Sequence, residues 1–349
     1  MMGAQNIKSE DGRVFFEGDS TLMVRANLCS RISERILIVV GQFKAYSFEE
    51  LFEAVKALPW EEYLAKDAAF PVKGSSINSK LFSMSDCQSI IKKAVVERLK
   101  KTYNISWFDE TGDFYQIQYF IHKDTATLML DTSGEGLHKR GYRRDANEAP
   151  IKETLAAAIV NLARVKREAV LIDPCCGSGT ILIEGAMRAL NIAPGLNRTF
   201  LCEAWKALSK NIWQSERERA AGLVNRDVTF EAHGFDIDES ALALTKSNAQ
   251  KAGVEKVIST ALRDIKDFKH ETEKGIVICN PPYGERLLEG NDADKLYKTM
   301  GRVFVRKENF SYYVITGSDT FEDWFGRAAD KRRKLYNGMI KCQLYMYFK

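Results

Sequence analysis

The stretch ICNPPYGERL, residues 278–287, sets Asn280, Pro281, Pro282 and Tyr283 directly after a short apolar run. Proline has no N–H and fixes φ, so this pair stops a sheet ladder and leaves the backbone stiff and extended. Such a loop can present the Asn280 side-chain oxygen and the Pro281 carbonyl in fixed positions, with the Tyr283 ring beside them. Two acceptors and a ring form a cradle for a planar amino group. Asn-Pro and Tyr-Gly are also ordinary loop punctuation, so these residues alone leave a plain turn open.

Three acids and a glycine turn bear on the choice. Asp173 ends the run AVLIDP and is followed by Cys175, Cys176, Gly177, Ser178 and Gly179. The two glycines lack a Cβ and let backbone approach a ligand closely. A phosphate-binding loop would need Gly-Lys-Ser/Thr, whereas Thr180 and Ile181 follow Gly179. A dinucleotide fingerprint would need a third glycine and an acid about 20 residues on; Leu182 stands at the glycine's place, and the next strand-end acid, Asp236, lies much further along. Asp236, followed by Ile237, is placed to accept from a ribose diol, and Asp264 from an adenine amino group. Each acid taken singly reads as a turn or helix cap. Four polar groups at four successive strand ends point to a nucleoside-type cofactor.

The elements that must position these groups fall into two blocks. Up to residue 135 the chain mixes strands (12–19, 35–43 and the runs FYQIQYFIHKD and TATLMLDTS) with helices at 47–58 and 85–103, capped by Ser47, with Glu50 completing a capping box, and by Ser85. This is an α+β module. Residues 136–150, rich in glycine and charge, read as a linker. From 151 to 349 helix and strand alternate, as in a parallel sheet covered on both faces. The run KLYNGMIKCQLYMYF breaks the alternation: two strands joined at Asn337-Gly338 make an antiparallel closing hairpin. The fold class expected is therefore α/β, a Rossmann-like, mostly parallel sheet of the class I methyltransferase type, preceded by an α+β domain.

Composition is that of an ordinary globular chain, with 45% apolar residues in 349. No apolar run is long enough to span a bilayer, and the first residues lack the pattern of a secretory leader. Seven cysteines without a CxxC pair suit free thiols in a reducing compartment, not a disulfide framework or a zinc site, so a cytoplasmic, metal-free protein is expected. The net charge of +4 does not announce a nucleic-acid binder, but its distribution is uneven. HKRGYRR at 138–144 and RAADKRRK at 327–334 are dense in cations, and in the first Tyr142 could stack on a base while the cations meet phosphates. A solvated linker is the plainer reading of such a run.

The sequence resembles the large-subunit (23S) ribosomal RNA guanine-N2 methyltransferases that carry a THUMP RNA-binding domain. The resemblance runs through NLCSRISERIL, LPWEEYL, DCQSIIKKAVVERL, DTSGEGLHKRGYR, EAPIKETLAAAIVNLA, DPCCGSGTILIEGAM, NIAPGLNR, GFDID, NPPYGERL and KRRKLYNG. It implies S-adenosylmethionine as cofactor, bound by Asp173, Cys175, Gly177, Ser178, Gly179, Asp236, Ile237, Asp264 and Asn280. It implies that Asn280 and Pro281 accept the two hydrogens of an exocyclic amine, that Pro282 stiffens the loop, and that Tyr283 stacks on a base turned out of its helix. His138, Lys139, Arg140 and Arg143 would then lie near the RNA backbone, and the partner would be ribosomal RNA or an assembly intermediate, with no membrane. Two departures stand out. The family's ferredoxin-like subdomain usually starts further upstream of GRVFFEGD, so the RNA-binding half is expected to be incomplete, and Cys175 takes the place of a phenylalanine in the glycine turn. Transfer to a transfer-RNA guanine or to a DNA adenine N6, and a non-catalytic RNA-binding assembly role, are the alternatives. Trp205 and Trp213, eight apart within the insertion 191–227, are expected to serve helix packing, not base stacking.

Overall fold

The structure is a computed structural model and describes residues 3–143, 151–282 and 290–348. Two compact units emerge, and the partition is not a single cut in the chain. The first comprises residues 1–28, 34–137 and 199–217; the second comprises 29–33, 138–198 and 218–349.

In the first unit, strands β1 (Gln5–Glu10) and β2 (Arg13–Glu17) form a hairpin followed by helix α1 (Ser20–Cys29). A four-stranded sheet is built from β3 (Leu37–Lys44), β4 (Val72–Ile77), β5 (Ile117–His122) and β6 (Thr125–Asp131) in the order β3-β6-β5-β4. Only the β4–β5 pair is parallel. Helix α2 (Phe48–Ala57) begins as its sequence requires: Ser47 Oγ accepts from the Glu50 N–H at 3.2 Å. The reciprocal bond of the box is displaced by one residue, since Glu50 Oε2 accepts from the Tyr46 N–H at 2.7 Å. Helix α3 (Met84–Tyr103) starts two residues earlier than expected. Ser83, not Ser85, is its cap, because Ser83 has the extended φ/ψ that a cap needs and accepts from the Asp86 N–H.

Part of the 191–227 insertion packs in this unit, and its tryptophans are used in packing. Trp205 stacks on Tyr115 with ring centroids 4.5 Å apart and donates to the Phe114 carbonyl, while Trp213 stacks on Phe200.

The second unit is a seven-stranded sheet in the order β12-β13-β11-β10-β7-β8-β9. Its strands are β7 (Val170–Asp173), β8 (Glu231–Asp236), β9 (Ile258–Leu262), β10 (Gly275–Cys279), β11 (Phe310–Thr316), β12 (Lys331–Asn337) and β13 (Ile340–Phe348). The five strands from β11 to β9 are parallel, and β13 runs antiparallel between β11 and β12. Helices α4 (Glu153–Leu162), α5 (Thr180–Ala189), α6 (Lys210–Gly222, shared with the first unit), α7 (Glu239–Ala252), α8 (Gly290–Val303) and α9 (Phe321–Phe325) connect them. Two apolar clusters cover the two faces, one around Leu171, Ile183 and Leu344, the other around Val277, Phe304 and Tyr345. The central strands read as unbroken apolar runs because both their faces are buried.

The closing hairpin is present, with its turn one residue later than expected. Asn337 is still paired with Ile340, and Gly338 and Met339 form the two-residue loop. Gly338 takes φ +65°, the left-handed value that a primed turn demands at its first central position.

Candidate active site

The chain passes from β7 outward to β8 and β9, then returns to the other side of β7 as β10. Ligands in open α/β sheets bind above the strand ends where the order reverses in this way. Asp173, Asp236 and the loop holding Asn280 leave three of the strands around that reversal, and Asp264 follows the end of β9.

Gly177 and Gly179 both take positive φ, +53° and +79°, and Gly179 is the residue that opens α5. A Cβ at Gly177 would meet nothing within 4 Å, so that backbone faces open space, whereas at Gly179 it would fall 2.7 Å from Thr245. The Gly177 N–H donates to Asp236 Oδ2 at 2.8 Å, and the Asp238 N–H donates to Oδ1 at 3.1 Å. Each Asp236 oxygen keeps a lone pair for a further donor. Ile237, beside it, is 73% exposed, an apolar side chain available to a flat ring.

Asp173 is buried and accepts from the Cys175 N–H at 3.1 Å. Burial pushes its carboxyl up to about 8, an effect that the Cys175 bond opposes and the nearby Asp236 reinforces. Asp264 has a different local duty. It caps a short turn, accepting from the Lys266 N–H at 2.9 Å, and pairs with Lys266 Nζ at 2.9 Å; those bonds hold its carboxyl below the usual range. An exposed ion pair of this kind is weak, so it yields to a competing donor at little cost.

Asn280 follows the buried end of β10, and Pro281 behind it is buried. Among the described residues nothing partners Asn280 Oδ1, although the atom is buried. A buried acceptor without a donor costs about 1–3 kcal/mol unless a ligand supplies one. Tyr283 lies outside the described residues.

Two positioning residues escaped the sequence reading. Thr245 Oγ1 donates to the Gly177 carbonyl at 2.7 Å, and Asn248 Nδ2 donates to the Ser178 carbonyl at 3.0 Å. Both hold the glycine turn from α7. Their signal was available, since they stand three apart on the helix face that carries Ala241, Leu242, Ala249 and Ala252, where a buried polar side chain must find a partner.

The basic stretch is placed otherwise than expected. Arg140 is buried, with its guanidinium 3.4 Å from Glu184 and donating to the Arg31 carbonyl. Arg143 donates to Glu153 at 3.0 Å, to the Ile151 carbonyl and to Thr180 Oγ1. Tyr142 is buried and its hydroxyl meets Glu184 at 3.1 Å. These side chains fasten residues 140–143 to α4 and α5, so neither arginine is offered to a phosphate and the tyrosine is not offered to a base. Lys139 is exposed and His138 half-buried.

The open glycine backbone, the half-used Asp236 carboxylate, the exposed Ile237 and the N-terminus of α5 fit a nucleoside bearing an amino-acid tail, whose carboxylate the helix terminus favours. Fold and site together define a class I methyltransferase that uses S-adenosylmethionine. Comparison with known proteins agrees and narrows the class. The RMKL-like methyltransferase domain profile matches residues 140–346, a THUMP domain profile matches 45–131, and an RlmL ferredoxin-like domain profile matches 1–37. The chain belongs to the RMKL-like methyltransferase family and carries a THUMP domain.

It is 44% identical over 98% of its length to the Bacillus subtilis protein named "Putative RNA methyltransferase YpsC", covering 89% of that protein. It is 37% identical to the ribosomal RNA large subunit methyltransferase K/L of Psychromonas ingrahamii, of which it spans about half, 47%. Among solved structures, a Listeria monocytogenes protein described as a "predicted N6-adenine-specific DNA methylase" superimposes with a TM-score of 0.93 at 46% identity, with 99% of this chain and 90% of that one covered. SMU.472, a methyltransferase by its description and crystallised with S-adenosylhomocysteine, does so with a TM-score of 0.91 at 41% identity, with 99% and 92% covered.

Among the described residues no helix is long and apolar enough to cross a membrane, and no three His, Cys, Asp or Glu side chains converge as metal ligands.

Proposed function

We propose that this protein methylates the exocyclic N2 of a guanine in large-subunit ribosomal RNA. The observation that carries the reading is the buried Asn280 Oδ1 just after β10, which has no partner among the described residues and is followed by the buried Pro281. An exocyclic amine conjugated to a base is a poor nucleophile because its lone pair is delocalised. Two acceptors that take its two N–H groups favour a pyramidal nitrogen and lie where positive charge develops. S-adenosylmethionine supplies an electrophilic methyl group on a sulfonium. The chain's task is alignment, with Gly177, Asp236 and Asp264 placing the donor and Asn280 and Pro281 the acceptor nitrogen. Cys175, Ser178 and Ile237 complete the cofactor's surroundings in this reading, and Tyr283 is the residue assigned to stack on the base.

RNA is favoured as substrate by the THUMP match and by the names of the relatives, and ribosomal RNA by the name of the K/L relative. A cytoplasmic site of action follows from that substrate. The name carried by the Listeria structure favours a second reading, transfer to adenine N6 in DNA, which the same Asn-Pro-Pro-Tyr loop could perform. Labelled methyl transfer to undermethylated ribosomal RNA, transfer RNA and DNA in parallel, with nucleoside digestion, decides. N2-methylguanosine in ribosomal RNA is the expected product. The same nucleoside in transfer RNA would move the substrate, N6-methyladenine in DNA would overturn the reading, and cofactor binding without transfer to any of the three would favour a non-catalytic assembly role.

A further inference from the structure

The second cation-rich run, 327–334, plays no part in the site described above, and the sheet register locates it. Cys279 on β10 is opposite Val314 on β11, Val314 is opposite Tyr345 on β13, and Tyr345 is opposite Arg332 on β12. One row therefore crosses four strands from the last residue of β10 to the outer edge. Two residues further along, Thr316 on β11 is opposite Gln343 on β13, and Gln343 is opposite Lys334 on β12. From Arg332 the hairpin runs on for five residues to Asn337, a rise of roughly 17 Å past the level of Cys279, at a lateral distance of roughly 14 Å for three strand spacings.

The part that rises above the site is unusual for a sheet edge. Lys334, Tyr336 and Lys341 share one face, because Tyr336 and Lys341 are direct partners and residues two apart point the same way. Lys334 Nζ lies 5.2 Å from the Tyr336 ring centroid. Tyr336 is 54% exposed, Ile340 52% and Met339, at the tip, 98%. Cations on an edge strand guard against pairing with another chain. That duty explains Lys331 and Arg333, but an apolar tip and an open tyrosine work against it. The tip is also tethered, since the Asn337 side-chain oxygen accepts from the Lys152 N–H at 3.4 Å. In the row of Thr316 and Lys334, Gln343 Oε1 is buried with no partner among the described residues.

Resting on the RNA reading of the site, we infer that the β12–β13 hairpin is a second RNA-contacting element. Lys334 and Lys341 meet phosphates, and Tyr336 and Met339 pack against the bases next to the one turned into the catalytic loop. The partner is an RNA strand by charge complementarity: exposed cations interleaved with a stacking ring and an apolar tip match an anionic backbone with flat bases. A flipped base leaves a gap and an unstacked neighbour in its helix, and an apolar side chain held just beyond the catalytic level is placed to cover it.

The test uses the full chain, an undermethylated large-subunit ribosomal RNA transcript, and two double variants, Tyr336→Ala with Met339→Ala and Lys334→Ala with Lys341→Ala. These residues lie on an exposed edge and tip, and retained S-adenosylhomocysteine affinity and melting temperature would show the fold intact. The lysine pair should weaken RNA binding and reduce its log–log salt slope by about 1–2, the value for two lost phosphate contacts. The tip pair should lower kcat/KM for RNA at least tenfold, with a smaller effect on the salt slope. Unchanged RNA affinity, salt slope and kcat/KM in both variants would overturn the inference. If the wild type binds cofactor but methylates no RNA, the function proposal fails by itself, and RNA affinity and its salt slope still report on the hairpin.

Discussion

The Gly177 N–H and the Asp236 carboxylate, 2.8 Å apart, join the turn after β7 to the end of β8 as one hydrogen-bonded unit. A second bond, from the Asp238 N–H to the other oxygen, fixes the carboxylate's plane. Asp236 therefore shapes the turn and leaves acceptor capacity, which in the proposed reading a sugar diol uses. Asp236→Ala should weaken S-adenosylhomocysteine binding about 10–100-fold by calorimetry, the value of one or two lost bonds to a charged group. Asp236→Asn should be milder, since one oxygen remains. Equal affinity in wild type and Asp236→Ala would move the ribose elsewhere.

Asn280 is predicted to act on rate, not on cofactor affinity. Asn280→Ala removes an acceptor used only when an amine is present, so kcat should fall about 10²–10³-fold while S-adenosylhomocysteine binds as before. Asn280→Asp retains an oxygen but adds charge at a buried position, and it should lose activity as well. Full methyl transfer by Asn280→Ala would remove this residue from the chemistry.

Asp173 ties stability to pH. Its folded value, about 8, lies above the ordinary carboxyl value, so folding favours the protonated form and ionisation opposes it. The contribution is fully favourable below about pH 4 and is lost as pH rises toward 8, by up to about 1.4 kcal/mol per pH unit. Asp173→Asn abolishes that slope. Melting curves of the two proteins should therefore run together at acid pH and diverge through neutrality, with the variant the more stable. Parallel curves from pH 5 to 8 would mean that Asp173 stays ionised in the fold.

Much of this site is legible in sequence because strand ends, glycine turns and proline breaks are local events. The turn 175–179 and the acids after β7, β8 and β9 fall where an apolar run stops, which requires no knowledge of distant partners. What local reading cannot supply is pairing across the chain. Arg140 looks like a solvated cation until Glu184 is brought beside it, 44 residues on, and Tyr142 looks free to stack until its hydroxyl is buried against the same acid. Strand β4 is missed for a related reason: Val72–Ile77 is mostly polar and becomes a strand through its parallel partner β5. The one-residue shift at Gly338 comes from φ. Asn337 keeps an extended conformation, so the glycine takes the first turn position.

The buried cluster around Arg140 separates two accounts of the basic stretch. The Arg140 and Glu184 side chains are 2% and 0% exposed, and removing one member of such a pair strands the other. Arg140→Ala should thus cost about 3–5 kcal/mol of stability, and Arg140→Lys should recover part of it. Lys139→Ala, at an exposed position, should leave the melting temperature within about 1 °C, since surface changes away from buried networks fall within about 0.5 kcal/mol. The readouts are melting temperature and the salt dependence of RNA binding, measured side by side. A phosphate-binding Arg140 would do the reverse, flattening the salt slope at constant stability, because a group that meets RNA in solvent contributes nothing to the folded state in its absence.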